Sequence, residues 1–218
     1  MERNREITVK GIGSLSAKVD YITVIFTLDE LNRVYKSGYE DFNSHISALQ
    51  NIIEKLGFEK SDLKTSAISI TTKYDSVKRN GDYVEIFAGY RFTTKMKLSF
   101  DFDSEKLGKV FASISEMDFA PKVNVIFSVK DEEFVKNQLL ANAAKDARTK
   151  AQILSEAMGV KLGKLITIQY NWDVIEIQSR TSYDLDKHCR IAGSREIDFT
   201  PEDIYLEDEA AFIWEIED

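Results

Sequence analysis

The chain has 218 residues, 43% apolar and 30% charged, with a formal net charge of −8, a globular balance with enough length for one large or two small domains. A single cysteine, Cys189, excludes an internal disulfide, so packing must supply the stability. No run approaches the roughly 18 apolar residues of a membrane span, and no basic stripe offers a footprint for a phosphate backbone, which argues against nucleic acid as a partner.

In chain order, residues 7–13 read as a short strand, with Gly11 and Gly13 as turn residues at its exit. The G-x-G they form lacks the third glycine and the following helix of a dinucleotide loop. Next, Ile22, Val24, Phe26 and Leu28 alternate with Tyr21, Thr23, Ile25 and Thr27, the period of two that marks a strand. A helix over about 34–56 follows from Phe42, Ile46, Leu49, Ile53 and Leu56, spaced by three and four, and Gly57 ends it. His45 lies beside this stripe with no cysteine or second histidine nearby, so it is read as structural rather than as a ligand.

Residues 63–74 and 83–100 form two extended segments around KRNGD, where Asn80-Gly81 is a strong hairpin signal. In the second segment Tyr90, Phe92, Thr94, Met96, Leu98 and Phe100 face one way. Arg91, Thr93, Lys95, Lys97 and Ser99 face the other, as in a sheet with one face on a core. Ser104 is the expected N-cap of a short helix over about 104–117, with Leu107, Val110, Phe111, Ile114 and Met117 inward. After Pro121, another strand carries Val123, Val125, Phe127 and Val129.

The longest helix spans about 131–158. Leu140, Ala144, Ala147, Ala151, Leu154 and Met158 are expected to form its buried face. Asp131, Glu132 and Glu133 sit in the first turn, where carboxylates favour the positive end of the helix dipole. Asp146 and Lys150 form an i,i+4 pair on the outer face, and Gly159 is the expected stop. A strand over 164–170 follows, with Gly163 in a tight turn before it. Periodicity then fails from 171 to 200, and Ala210, Phe212, Trp214 and Ile216 alternate in a closing strand.

This order of elements predicts an α+β fold, with antiparallel or mixed sheets and the three helices packed on them. A shared grammar of helix, glycine and strand in EKLGFEKSDLKTSAISI and EAMGVKLGKLITIQY fits one unit over 1–218, divisible into subdomains of about 1–100 and 101–218.

The densest polar constellation is Asp184, Asp186, His188 and Cys189, carboxylate, imidazole and thiol within six residues. Such donors suit a transition metal, but D-x-D-x-H-C is no stand-alone metal motif and is read chiefly as a polar loop. His188 and Cys189 are adjacent, which places their side chains on opposite sides of an extended chain, a poor nucleophile–base pair. G-x-S-x-G, the phosphate loop and H-E-x-x-H are all missing, so no catalytic residue and no cofactor site is assigned. Tyr74, Tyr83, Phe87, Tyr90, Tyr170 and Trp172 lie near strand ends, where such aromatics are commonly core-rim residues and are also the ones favoured in oligomer interfaces. Nine of the 37 acidic residues fall between Ile197 and Asp218, which leaves 28 acidic against 29 basic elsewhere; this acidic C-terminus reads as a solvated strand and tail.

Four stretches, taken in order, resemble the SIMPL domain family, formerly a domain of unknown function, found in bacterial proteins related to a periplasmic immunogenic outer-membrane-associated antigen. They are ITVKGIGSLSAKVDYITVIFTL, LGFEKSDLKTSAISITTKY with GYRFTTKMKLSF, AAKDARTKAQILSEAMGVKLGKLITI, and PEDIYLEDEAAFIWEIED. The third is the best match, to the family's A-x-x-x-A-x-x-K-A helix that runs through G-x-x-[LI]-G into a strand. The resemblance implies homo-oligomers in at least some members, export for most, and no established catalytic residues. This chain opens MERNREITVKGIG with no apolar h-region, so cytoplasmic placement is expected, with export as the alternative if an upstream signal was removed.

The expected function is therefore that of a non-enzymatic, self-associating interaction or scaffold protein, a homo-oligomer that can take a protein partner. The alternative is a small-molecule- or metal-binding protein, an enzyme included, that uses segment 171–200.

Overall fold

The computed structural model describes residues 5–79, 81–171, 175–185 and 199–218. Its elements are β1 (Glu6–Ala17), β2 (Tyr21–Asn32), α1 (Tyr35–Lys55), β3 (Leu63–Arg79), β4 (Asp82–Asp101), α2 (Ser104–Ser115), β5 (Lys122–Ser128), α3 (Glu132–Ala157), β6 (Lys161–Tyr170), β7 (Tyr183–Leu185) and β8 (Ile204–Glu217). The fold is α+β, as the alternating and three-four periodicities predict. Two sheets form, ordered β1-β8-β6 and β3-β4-β2-β5-β7. Contacts divide the chain into two compact units, one of residues 1–19, 128–180 and 202–218, the other of 20–127 and 181–201.

The first unit is a three-stranded sheet and one helix. β1 pairs antiparallel with β8 from Glu6↔Glu215 to Ala17↔Ile204, and β6 pairs with the other edge of β8. α3 begins at Asp131, whose carboxylate accepts from the Phe134 N–H at 2.8 Å, with Glu132 and Glu133 in the first turn. It ends where Gly159 adopts φ +70° and Val160 N–H bonds back to Ser155 C=O at 3.0 Å.

The buried face of α3 is Val135, Leu139, Ala143, Ala147, Ala151 and Ser155, each four residues from the last. Only Ala147 and Ala151 belong to the face expected from sequence. Leu140 is half-buried, Ala144, Leu154 and Met158 are exposed, and Met158 keeps 77% of its surface. The helix has alanine on both adjoining ridges, so periodicity alone could not choose between them. Tertiary contact chooses: Ala147 and Ala151 pack with Val9, Ala210, Phe212 and Trp214 of the sheet. Lower down, Val135 and Leu139 pack with Val129, Ile177, Ile204 and Leu206.

Gly11 and Gly13 are not turn residues. Both lie within β1, and a β-carbon on Gly11 would stand 2.1 Å from Ala143 C=O, one on Gly13 2.0 Å from Leu139 C=O. The glycines let a helix backbone lie directly on a strand backbone. Nor is Asp146 an ornament of an outer face. Its ion pair with Lys150 is present at 2.6 Å, but the same carboxylate accepts the Ile12 N–H at 2.7 Å. Asn142 donates to Ser14 C=O at 3.1 Å and Lys150 to Lys10 C=O at 3.4 Å. Side chains of α3 thus bond the backbone edge of β1 that β8 does not use.

In the second unit, Ile22, Val24, Phe26 and Leu28 of β2 and Phe92, Met96 and Leu98 of β4 meet Phe42, Leu49 and Ile53 of α1 inside the unit. α2 adds Leu107, Val110, Phe111 and Ile114, and β5 adds Val123, Val125 and Phe127. The N-cap of α2 is Asp103, not Ser104: the Asp103 carboxylate accepts the Lys106 N–H at 2.9 Å. Ser104 is the first helical residue, and its hydroxyl accepts the Phe199 N–H at 2.9 Å. Within the aperiodic segment, β7 pairs with β5 through Val123↔Leu185 to Val125↔Tyr183.

Two outcomes follow. Gly13→Ala must displace α3 or β1, and should destabilise by about 1–3 kcal/mol, a fall in Tm of several degrees by calorimetry; an unchanged Tm would show that the helix does not rest on the strand. The Ile12 N–H, then Lys150, hold the Asp146 carboxyl below its usual range. Its stabilisation is therefore complete above the unfolded carboxylate value of about 3.9 and is lost as pH falls through the lower folded value. Asp146→Asn should start from a lower Tm at neutral pH, and should lose less Tm than the wild type below about pH 4. Parallel Tm-against-pH curves would refute the linkage.

Candidate functional site

β4 is long enough to serve two environments. From Asp101 to Tyr90 it pairs with β2 on one side and, from Leu98 onward, with β3 on the other. β2 stops at Asn32, opposite Tyr90, so beyond that point β4 has β3 alone for a neighbour. The two strands continue as an antiparallel ribbon, Tyr74↔Phe87 to Arg79↔Asp82, closed by Gly81 at φ +98°. At about 3.3 Å per residue the six paired positions on each strand give an arm about 20 Å long.

A bulge marks its base. Lys73 pairs with Gly89 and Tyr74 with Phe87, which leaves Ala88 without an opposite residue on β3. Gly89 has φ +150°, and a β-carbon there would stand 2.7 Å from Asn32 C=O at the end of β2. Only glycine fits this crossing, and a bulge bends the strand that carries it. Just inside the base, Arg91 donates twice to the Asp29 carboxylate, at 2.8 and 2.5 Å, tying β4 to β2.

Both faces of the arm carry exposed apolar side chains. Tyr74 and Phe87 are opposite each other on one face. Val77 and Val84, three steps further, are on the other with Ile86. All are exposed, as are Tyr83 at 74% and, nearer the base, Ile68 at 63%. An isolated two-stranded ribbon is marginal in water, and this one has no core of its own to bury those groups.

The arm joins the interior through a file of rings. Phe42 and Phe92, both fully buried, have centroids 5.7 Å apart. Phe92 meets Tyr35 at 5.8 Å, Tyr35 meets Tyr90 edge-on at 5.3 Å, Tyr90 meets Phe87 at 5.3 Å, and Phe87 meets Tyr74 at 6.0 Å. Tyr39 stacks on Tyr35 at 6.3 Å. Edge-to-face pairs at this spacing are favourable beyond the area they bury. Gly38 permits the file, because a β-carbon there would stand 2.5 Å from the Phe92 ring.

Of the aromatics expected from sequence, Tyr74, Phe87 and Tyr90 are brought together and Tyr83 is on the same arm. Tyr170 belongs to the other unit, where its hydroxyl donates to Asp208 at 2.8 Å. Trp172 lies outside the described residues. Tyr35 and Tyr39 were missed by a search confined to strand ends; their i,i+4 spacing at the start of α1 is the signal that places them on one helix face. Asp184 lies in β7 opposite Asn124, while Asp186, His188 and Cys189 lie outside the described residues. Among the described residues no group of three or more His, Cys, Asp or Glu side chains is placed to hold a metal ion. His45 pairs with Glu30 at 2.6 Å and stacks on Phe119 at 4.1 Å, beside an open groove of about 510 Å³ that Asn32 and Asp41 also line.

A family model for SIMPL, described as a protein of unknown function (DUF541), matches residues 7–208. The chain belongs to the SIMPL family. A search of curated proteins returned no match. The SIMPL match runs through both compact units and takes in the whole arm. Among the described residues of this SIMPL protein, no helix is long and apolar enough to cross a membrane.

The ring file has a buried end and a wet end, and mutation should separate them. Phe92→Ala should cost about 3–5 kcal/mol in urea unfolding, whereas Phe87→Ala, at the half-exposed end, should cost less, about 0.5–1.5 kcal/mol. A large loss at Phe87 in the monomeric protein would mean that the arm is folded onto the body.

Proposed function

We propose that this SIMPL protein is a non-enzymatic, self-associating interaction protein, and that the β3–β4 arm is its association surface. The observation that carries this reading is the arm itself: a paired ribbon beyond the end of β2, apolar on both faces and exposed along its length. A monomer gains nothing from holding Tyr74, Val77, Val84, Ile86 and Phe87 in water. Burial against a second chain would recover that free energy, and aromatic anchors in the middle of a patch are the groups that contribute most to such contacts. The ring file supports the same reading, because it couples the arm to a rigid body that can position it. The arm offers exposed apolar contact and an open backbone edge, and association is the chemistry these suit.

Light scattering coupled to size exclusion tests the proposal directly. The protein should be larger than a monomer at tens of micromolar. The triple variant Val77→Ser, Ile86→Ser, Phe87→Ser should dissociate with at least a tenfold rise in Kd and an unchanged circular dichroism spectrum. A strict monomer in the wild type, or an oligomer indifferent to the triple variant, would sink the assignment.

A further inference from the structure

We infer that two copies of the chain join β3 to β3 as antiparallel neighbours across a two-fold axis at Tyr74, making one continuous sheet from two. This rests on the self-association proposed above and adds the register and the edge that meets.

β3 is the outermost strand of its sheet, and every residue after Leu63 is exposed. Of the two irregularities in the β3–β4 ladder, the one at Thr65/Ala67 puts its extra residue, Ser66, on β3; the one at Lys73/Tyr74 puts its extra residue on β4. From Ala67 to Arg79 the outer edge of β3 is therefore regular, and its outward N–H and C=O groups are spaced to accept another strand. Natural edges are blunted by bulges, prolines, charged side chains or a covering element; among the described residues this stretch has no bulge, proline or cover, so its charges alone decide what it can pair with.

Symmetry then limits the register. A two-fold axis perpendicular to the sheet keeps each residue on its own face, so the axis must fall on a residue, which then opposes itself. The charges on this edge are Lys73, Asp75, Lys78 and Arg79. An axis at Lys73 sets lysine on lysine, one at Asp75 sets aspartate on aspartate, and one at Ser76 sets Lys73 against Arg79. An axis at Val77 opposes Asp75 and Arg79 but pairs only 75–79, and axes at Thr71 or Thr72 set no charge opposite a charge within 67–79. An axis at Tyr74 pairs 69–79 in full and sets Lys73 of each copy opposite Asp75 of the other, twice, with no like charges opposed. Within one chain Lys73 and Asp75 already lie 3.8 Å apart, half in solvent, on the same face. On the opposite face Tyr74 would meet its own copy, beside the exposed Phe87 of each arm. Cross-strand pairs of opposite charge and of aromatics are the ones that stabilise a sheet.

The test uses the full chain carrying Cys189→Ser, so that one introduced thiol stands alone. Tyr74→Cys should oxidise to a covalent dimer on a non-reducing gel, because directly opposed residues lie within disulfide range. Thr71→Cys and Val77→Cys should each fail alone and cross-link when the two singly substituted proteins are mixed. Lys73→Asp should raise the Kd about tenfold through two like-charge oppositions, and the double variant Lys73→Asp, Asp75→Lys should return it to within about twofold of the wild type. An oligomer that persists while Tyr74→Cys does not cross-link and the double variant stays weak would overturn this register and leave self-association standing. A protein that is monomeric at every concentration would overturn both.

Discussion

β4 is held along its inner part and free along the rest, and the arrangement of the second unit depends on where that change occurs. Inside Tyr90 the strand is a central member of a five-stranded sheet, with Phe92, Met96 and Leu98 buried against β2 and α1. Outside it, the same strand is half of a ribbon. A strand cannot pass between these environments without adjustment, since its alternation would carry an apolar set designed for a core straight into water. The adjustment is local: one unopposed residue, Ala88, and one glycine at a φ that other residues rarely adopt. The ring file crosses the same boundary, so the arm is bent at its base and still anchored by packed side chains.

The two sheets treat their edges differently. β1 is an edge strand whose outward backbone groups are occupied by Asn142, Asp146 and Lys150 of α3, with the helix backbone brought close by Gly11 and Gly13. Between Lys10 and Ser14 that edge is covered by α3. β3 is an edge strand that, among the described residues, no helix and no proline covers, and its edge carries charges of both signs. Covering one edge and leaving another regular and open is how a protein admits one kind of sheet extension while resisting aggregation.

Much of the fold was legible in the residues. The period-two run at Tyr90–Phe100 and the three-four spacing over α1 and α2 located elements to within a residue or two, the run at Ile22–Leu28 found β2 but stopped four residues short of its end at Asn32, and four short stretches in order marked the family. Where sequence reasoning failed, the cause was a contact between segments remote in sequence. The face of α3 was misjudged because Ala143 and Ala144 are equivalent until a sheet touches one of them. Gly11 and Gly13 suggested a turn because nothing local reveals a helix arriving 130 residues later. Asp103 took the cap of α2 from Ser104, since either side chain satisfies the local rule and Ser104 had a partner at Phe199. The aromatics of the arm were visible as a cluster, but their exposure depends on β2 ending at Asn32, which alternation in β4 does not report.

The pairing of β1 with β8, Glu6 against Glu215, also sets an order of events during synthesis. The β3–β4 hairpin joins neighbours in the chain and can close as soon as it leaves the ribosome, at low cost in loop entropy. β1 is made first, yet its sheet partner is translated at the far end of the chain. Until then its glycine-containing edge has α3 to pack against but no strand partner, while residues 20–127 of the second unit lie between them in the chain. The β3–β4 hairpin can therefore close before the β1–β8 pairing of the first unit exists, and the arm is among the first parts of the molecule able to fold.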